Sequence, residues 1–207
     1  MFDQLVRMQH FSLQTRMMDV SYNPLVGLYF CCKSNYDEDG HVVRIAINKS
    51  QLKYYDSDAV SCVANLSNLS PSERNELRKK KTTQALCNSR AGKRLLQLIR
   101  AEKPYFLPEI VPQDLWTAHV VKPKQMNKRI IAQQGAFLLF GLAPKLEYSN
   151  DFGISLKRIA IPASAKRRLL AELDEININE SSMFPEIEST ARYIMSKITP
   201  LAEKFET

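Results

Sequence analysis

The chain has 207 residues, 44% hydrophobic and 25% charged, and 29 Lys and Arg against 22 Asp and Glu give a net charge of +7. These proportions exclude a disordered or fibrous chain, and the length fits one domain with room for a second small lobe. The longest uncharged run, Ile130–Pro144, is shorter than the ~18 residues a membrane span needs, and the N-terminus lacks the apolar core of a signal peptide. The expectation is a cytoplasmic protein without a membrane partner.

The densest chemistry lies in Met8–Cys32, where His10, Arg16, Asp19 and Ser21 follow one another closely. Asn23 is a good helix cap and Pro24 suits the first helical position, where no N–H is needed. Leu25, Val26, Leu28, Tyr29 and Phe30 make the following helix almost wholly apolar, which predicts burial. On chemistry alone two readings stay open: Arg16 and Asp19 tie a turn and His10 is a core histidine, or the polar groups form a site held by a rigid helix. Cys31 and Cys32 are adjacent and Cys62 and Cys87 isolated; without Cys-x-x-Cys or a suitably spaced His they predict reduced core thiols and no metal site.

Ser34–His41 reads as a loop with a turn at Asp39-Gly40, and Val42–Ile47 as a strand. Gln51–Leu69 shows no clean period. Ser70-Pro71-Ser72-Glu73 then announces a helix by its capping box. From Pro71 to Lys103, ten basic residues face three acidic ones, leaving +7, which equals the charge of the whole chain. Arg74, Arg78, Lys79, Lys80, Lys81, Arg90, Lys93 and Arg94 are the candidate nucleic-acid contacts, because clustered cations release counterions from phosphates. The same charges also suit a solvated helical face, and the segment holds no aromatic residue and no groove-reading motif.

Pro104–Asp114 reads as a connection, Trp116–Val121 as a short strand and Lys122–Arg129 as a basic turn. Ile130–Phe140 should enter as a strand or tight turn and continue as a buried strand, with hydrogen-bond partners for the amides of Gln133 and Gln134. Lys157–Ile161 is a further strand, followed by a helix from Ala163 or Ser164 to Asp174 and a last helix over Pro185–Ile198.

Gln9-His10, Thr15-Arg16 and Asp19-Val-Ser21-Tyr-Asn23-Pro24-Leu-Val-Gly-Leu-Tyr29-Phe30 together closely resemble the core signature of the FRG domain family. That signature reads roughly Gln-His-x-Gly-x-x-Thr-Arg-Leu-Leu-Asp-Trp-Thr-x-Asn-Pro. Arg129–Phe137, Ile159–Pro162 and Met183–Pro185 extend the resemblance to about Tyr193. Three departures stand out. Val20-Ser21 replaces Trp-Thr, Ser12 replaces a glycine, and the chain carries no Phe/Tyr-Arg-Gly motif, which is expected upstream of Gln9, so that either a natural short form or the loss of an N-terminal segment is expected.

By fold analogy the resemblance implies an ADP-ribosyltransferase-like arrangement around NAD. Ser21, Gln134 and His10 would be its catalytic groups, and Arg16, Asp19 and Gln133 would bind the ligand, with Asp19 orienting Arg16 toward a pyrophosphate. An amide at Gln134 supplies no carboxylate base, so such a transferase would be weak or would borrow a base from its substrate. The expected fold is α+β, a small mixed sheet or sheets with flanking helices, in which Val42–Ile47, Gly135–Phe140 and Lys157–Ile161 meet. It is expected as a single FRG-like domain over 1–207 with a basic helical insertion at about 70–103. Two functions follow. One is an NAD-using ADP-ribosyltransferase-like effector, a toxin or a phage-defence protein. The other is a non-catalytic module that binds nucleic acid or an acidic protein through 71–103.

Overall fold

Local chemistry sets the helix ends in the computed structural model, which describes residues 1–125, 127–143 and 154–205, the side chains of 199–205 excepted. Helix α1 (Phe2–His10) closes with Ser12 N–H on the Gln9 carbonyl and Leu13 N–H on the Met8 carbonyl. That is a Schellman motif, and it holds Ser12 in the left-handed region at φ 61°. A glycine is the natural occupant there, which explains the residue the family signature carries at this position. Strand β1 (Met17–Ser21) follows, and Asn23 Oδ1 then accepts from Leu25 N–H to open α2 (Pro24–Lys33) with proline in its first turn.

The chain divides into two compact units, the first comprising Met1–Asp19, Ala46–Pro123 and Ala136–Ser155, the second Val20–Ile45, Lys124–Gly135 and Leu156–Thr207. In the first, a four-stranded sheet runs in the order β1, β5 (Gly135–Leu139), β4 (His119–Lys122), β3 (Leu52–Tyr54). Leu52 aligns with Val120 in the parallel β3–β4 pair, and Val120 with Leu138 in the antiparallel β4–β5 pair. Phe140 N–H donates to the Arg16 carbonyl and Tyr22 N–H to the Gln134 carbonyl, so β1 and β5 run antiparallel. Helix α3 (Asp58–Asn65) is buried from Ala59 onward and packs on α1 and on α6 (Arg90–Glu102). Phe2 meets Phe137 edge to face at 5.9 Å between ring centres.

Helix α4 (Pro71–Arg78) starts with the expected capping box: Ser70 Oγ accepts from Glu73 N–H, and Glu73 accepts from Ser70 N–H. Helix α5 (Thr83–Asn88) approaches α6 so closely that a Cβ on Gly92 would stand 1.8 Å from the Leu86 carbonyl oxygen. Glycine is required there. Helix α6 buries Ala91, Gly92, Leu95, Leu96 and Ile99 and turns its cations outward. The basic segment is therefore packed into the core of the first unit through this helix.

In the second unit β2 (Gly40–Ile47) pairs with β6 (Ile154–Ile161). Helix α9 (Ala163–Glu175) packs on α2, and Val26, Tyr29, Leu173, Ile178 and Met183 form the core. Lys166 is only 2% exposed, with Nζ donating to the carbonyls of Ser34 and Asn35 just beyond α2. A cation at the negative end of a helix is stabilised there. Helix α10 (Glu180–Met183) and α11 (Ile187–Phe205) complete the unit.

The α+β class and its small sheets agree with the sequence reading. Several details do not. Trp116 ends α7 (Pro112–Trp116), so the strand expected over Trp116–Val121 starts at His119. Ile130 and Ile131 belong to α8 (Lys128–Ala132), capped by Asn127, so a helical turn rather than a strand enters β5. Helix α2 is buried on one face only, with Leu25 and Phe30 exposed. Gly135–Leu139 pairs with β1 and β4 and lies in a different sheet from β2 and β6. Met126, inside the basic turn, and Pro144, at the end of the uncharged run, lie outside the described residues. No helix among the described residues is long and apolar enough to cross a membrane.

Candidate functional site

The N-terminal signature residues fall into two groups. In the first unit, Thr15 Oγ1 donates to Gln9 Oε1 at 3.3 Å, and Gln9 Nε2 donates to Asp19 Oδ1 at 3.0 Å. Thr15 Oγ1 also accepts from Met17 N–H. These bonds fasten the end of α1 to the start of β1. Arg16 Nε donates to Ser67 Oγ at 3.0 Å, and Nη1 to the carbonyls of Phe140 at 3.0 Å and Gly141 at 3.3 Å. These acceptors are neutral. Burial, and then the nearby Arg74 charge, lower the Arg16 pKa to about 10. The guanidinium ties β1 to the end of β5 and to the turn after α3. His10 is exposed at the end of α1, edge to face with Phe11 at 5.6 Å.

In the second unit, residues more than a hundred positions apart do meet. Ser21 Oγ donates to the Gln133 carbonyl at 2.7 Å and accepts from Asn23 N–H. The Gln133 amide, which needed a partner, donates to the Met183 carbonyl at 3.0 Å. Gln134 is exposed at φ 46°, its N–H on the Ile131 carbonyl, as the left-handed residue that ends α8. The structure thus brings Ser21, Gln133 and Gln134 together. Arg16 and Asp19 make their described hydrogen bonds elsewhere, within the first unit.

The cations of the basic segment also divide. Arg74 Nη1 donates to the carbonyls of Leu66 and Leu69. Arg78 bonds Asn75 Oδ1 and the Leu142 carbonyl. Lys81 Nζ sits 4.8 Å from the centre of the Trp116 ring, and Lys103 pairs with Asp58. Arg90, Lys93 and Arg94 are different. All three are exposed on α6, and among the described residues their side chains carry no hydrogen bond or ion pair. With Gln97 and Glu73 they line a groove of about 600 Å³. Residues 90, 93, 94 and 97 recur at helical spacing, so one face of α6 supplies the cations. Lys79 is exposed and Lys80 half-buried in the turn after α4.

Sequence reasoning grouped all eight cations because it could not see which carbonyls Arg74 and Arg78 would reach. It missed Gln97, whose only signal was its place one turn beyond Lys93 and Arg94 on a face otherwise free of apolar residues. A second groove of about 680 Å³, under residues 104–111, is lined by Asp58, Glu109 and Asp114 with Tyr105 and Leu107. Its acidic lining is unsuited to an anion.

Neither a curated protein nor a solved structure matches the chain. The FRG domain family model does match, over residues 1–40, the stretch that holds the α1–β1 tie, Ser21 and the capped start of α2.

Proposed function

We propose that the chain is a non-catalytic module that binds nucleic acid through the exposed face of α6. The observation that carries this reading is the division of the basic segment. Arg74, Arg78, Lys81 and Lys103 are committed to partners within the protein, whereas Arg90, Lys93 and Arg94 share one open groove. Helix α6 is anchored by five buried residues, so its cations are presented on a rigid element. An anion gathered there releases counterions in proportion to the phosphates neutralised. Replacing Arg90, Lys93 and Arg94 together by Glu is expected to weaken binding of a mixed oligonucleotide by about tenfold or more at low salt. Fluorescence anisotropy measures this. Unchanged affinity with an unchanged melting temperature contradicts the reading.

A second reading, an NAD-using ADP-ribosyltransferase-like activity, draws on the meeting of Ser21 with Gln133 and Gln134. Gln134→Glu would supply the carboxylate that such a transferase lacks. If this reading holds, NAD raises the melting temperature of the wild type and Gln134→Glu adds measurable NAD cleavage. No shift and no cleavage in either protein would end it.

A further inference from the structure

We infer that the α6 groove takes the phosphate backbone of duplex nucleic acid, with Glu73 as a built-in competitor for its cations; this rests on the nucleic-acid reading above. Two features favour a duplex over other polyanions, and a third sets how tightly it is held. The first is the length of the cationic face. From Arg90 to Arg94 the helix advances ~6 Å at 1.5 Å per residue, a length over which a duplex carries about three phosphates on its two strands. Three cations meet three charges.

The second feature is what the groove lacks. Single strands gain much of their binding from bases stacked on aromatic rings. No Phe, Tyr or Trp occurs between Pro71 and Lys103, and Arg90, Lys93, Arg94, Gln97 and Glu73 line the groove. A stacked duplex loses nothing at such a surface, because only its phosphates are engaged. Its higher charge density also releases more counterion per contact than a single strand does. Contacts made to phosphates alone carry no sequence information.

The third feature is Glu73. Its carboxylate lines the same groove as the cations, and the Ser70 N–H holds its pKa below the ordinary carboxylate range, with Arg94 and Arg90 contributing less. It therefore stays ionised. A negative charge fixed at that rim attracts the arginines and repels an incoming phosphate. Gln at this position keeps the capping box, because an amide oxygen accepts from the Ser70 N–H as a carboxylate does. Glu73→Gln therefore removes the charge and leaves the helix start in place.

The test uses the full chain, a labelled short mixed-sequence duplex, the matching single strand and poly-glutamate, at low salt. The duplex is expected to bind about tenfold more tightly than the single strand. Glu73→Gln is expected to tighten duplex binding about two- to fivefold, the range for one exposed charge pair, in a protein that stays folded at the temperature of the assay. Equal or tighter binding of the single strand overturns the duplex inference but leaves the nucleic-acid reading standing. Unchanged duplex affinity in Glu73→Gln overturns the competitor role. Poly-glutamate binding as tightly as the duplex assigns the groove to an acidic protein and overturns the inference. Failure of both oligonucleotides to bind overturns the nucleic-acid reading itself.

Discussion

Ser12 and Arg16 show how much of the signature is backbone chemistry. Ser12 occupies the left-handed position of the Schellman motif that ends α1. A residue with a Cβ costs roughly 1–2 kcal/mol there, and glycine returns part of that through its larger unfolded-state entropy. Ser12→Gly is expected to stabilise the protein by about 0.5 kcal/mol, read as a higher midpoint in urea. A lower midpoint would mean the Ser12 side chain makes a contact that matters more than the strain. Arg16 makes the opposite case. Its guanidinium satisfies the carbonyls of Phe140 and Gly141, so Arg16→Ala leaves them without that donor and is expected to cost about 1–3 kcal/mol of stability. Denaturant unfolding measures this, and a variant as stable as the wild type would contradict the structural role.

At the scale of elements, charge ties α2 to α10. Lys33 pairs with Glu180, which also pairs with Arg192. The hydrogen bond from Lys33 holds the Glu180 carboxyl below its ordinary value of 4.5, with Arg192 adding to the effect against a burial penalty. The folded state thus binds this proton less readily than the unfolded chain. Its stabilising effect is complete above pH 4.5 and is lost as pH falls through the lower folded value. As pH falls below 4.5 the wild type should lose more thermal stability than Glu180→Gln. Parallel curves would show that the pair contributes nothing.

Elements whose signals are local were legible in the sequence. Asn23-Pro24 and the capping box at Ser70–Glu73 place their helix starts because a cap needs only its immediate neighbours. Strand partners were not legible. The apolar run Gly135–Leu139 carries no mark that distinguishes β1 and β4 from β2 and β6 as neighbours. The five-residue helix α8 escaped because Ile130 and Ile131 favour a strand, and only the Asn127 cap turns them helical. The site was legible in part. Ser21 meets the two glutamines through a backbone carbonyl and a helix end, contacts that the sequence does not announce. Arg16 looked like an anion binder because its three neutral acceptors lie 51, 124 and 125 residues away in sequence.

For the whole molecule, the net charge of +7 is carried by one segment, yet only part of that segment is open to a partner. The central claim is that Arg90, Lys93 and Arg94 meet phosphates directly. The dependence of duplex affinity on salt tests it most directly, because each neutralised phosphate contributes about 0.9 to the slope of log affinity against log salt. The wild type is expected to give a slope near −3, and the variant with Ala at all three positions a slope near zero. A slope that stays near −3 in the variant would mean that other cations hold the duplex, and would contradict the claim.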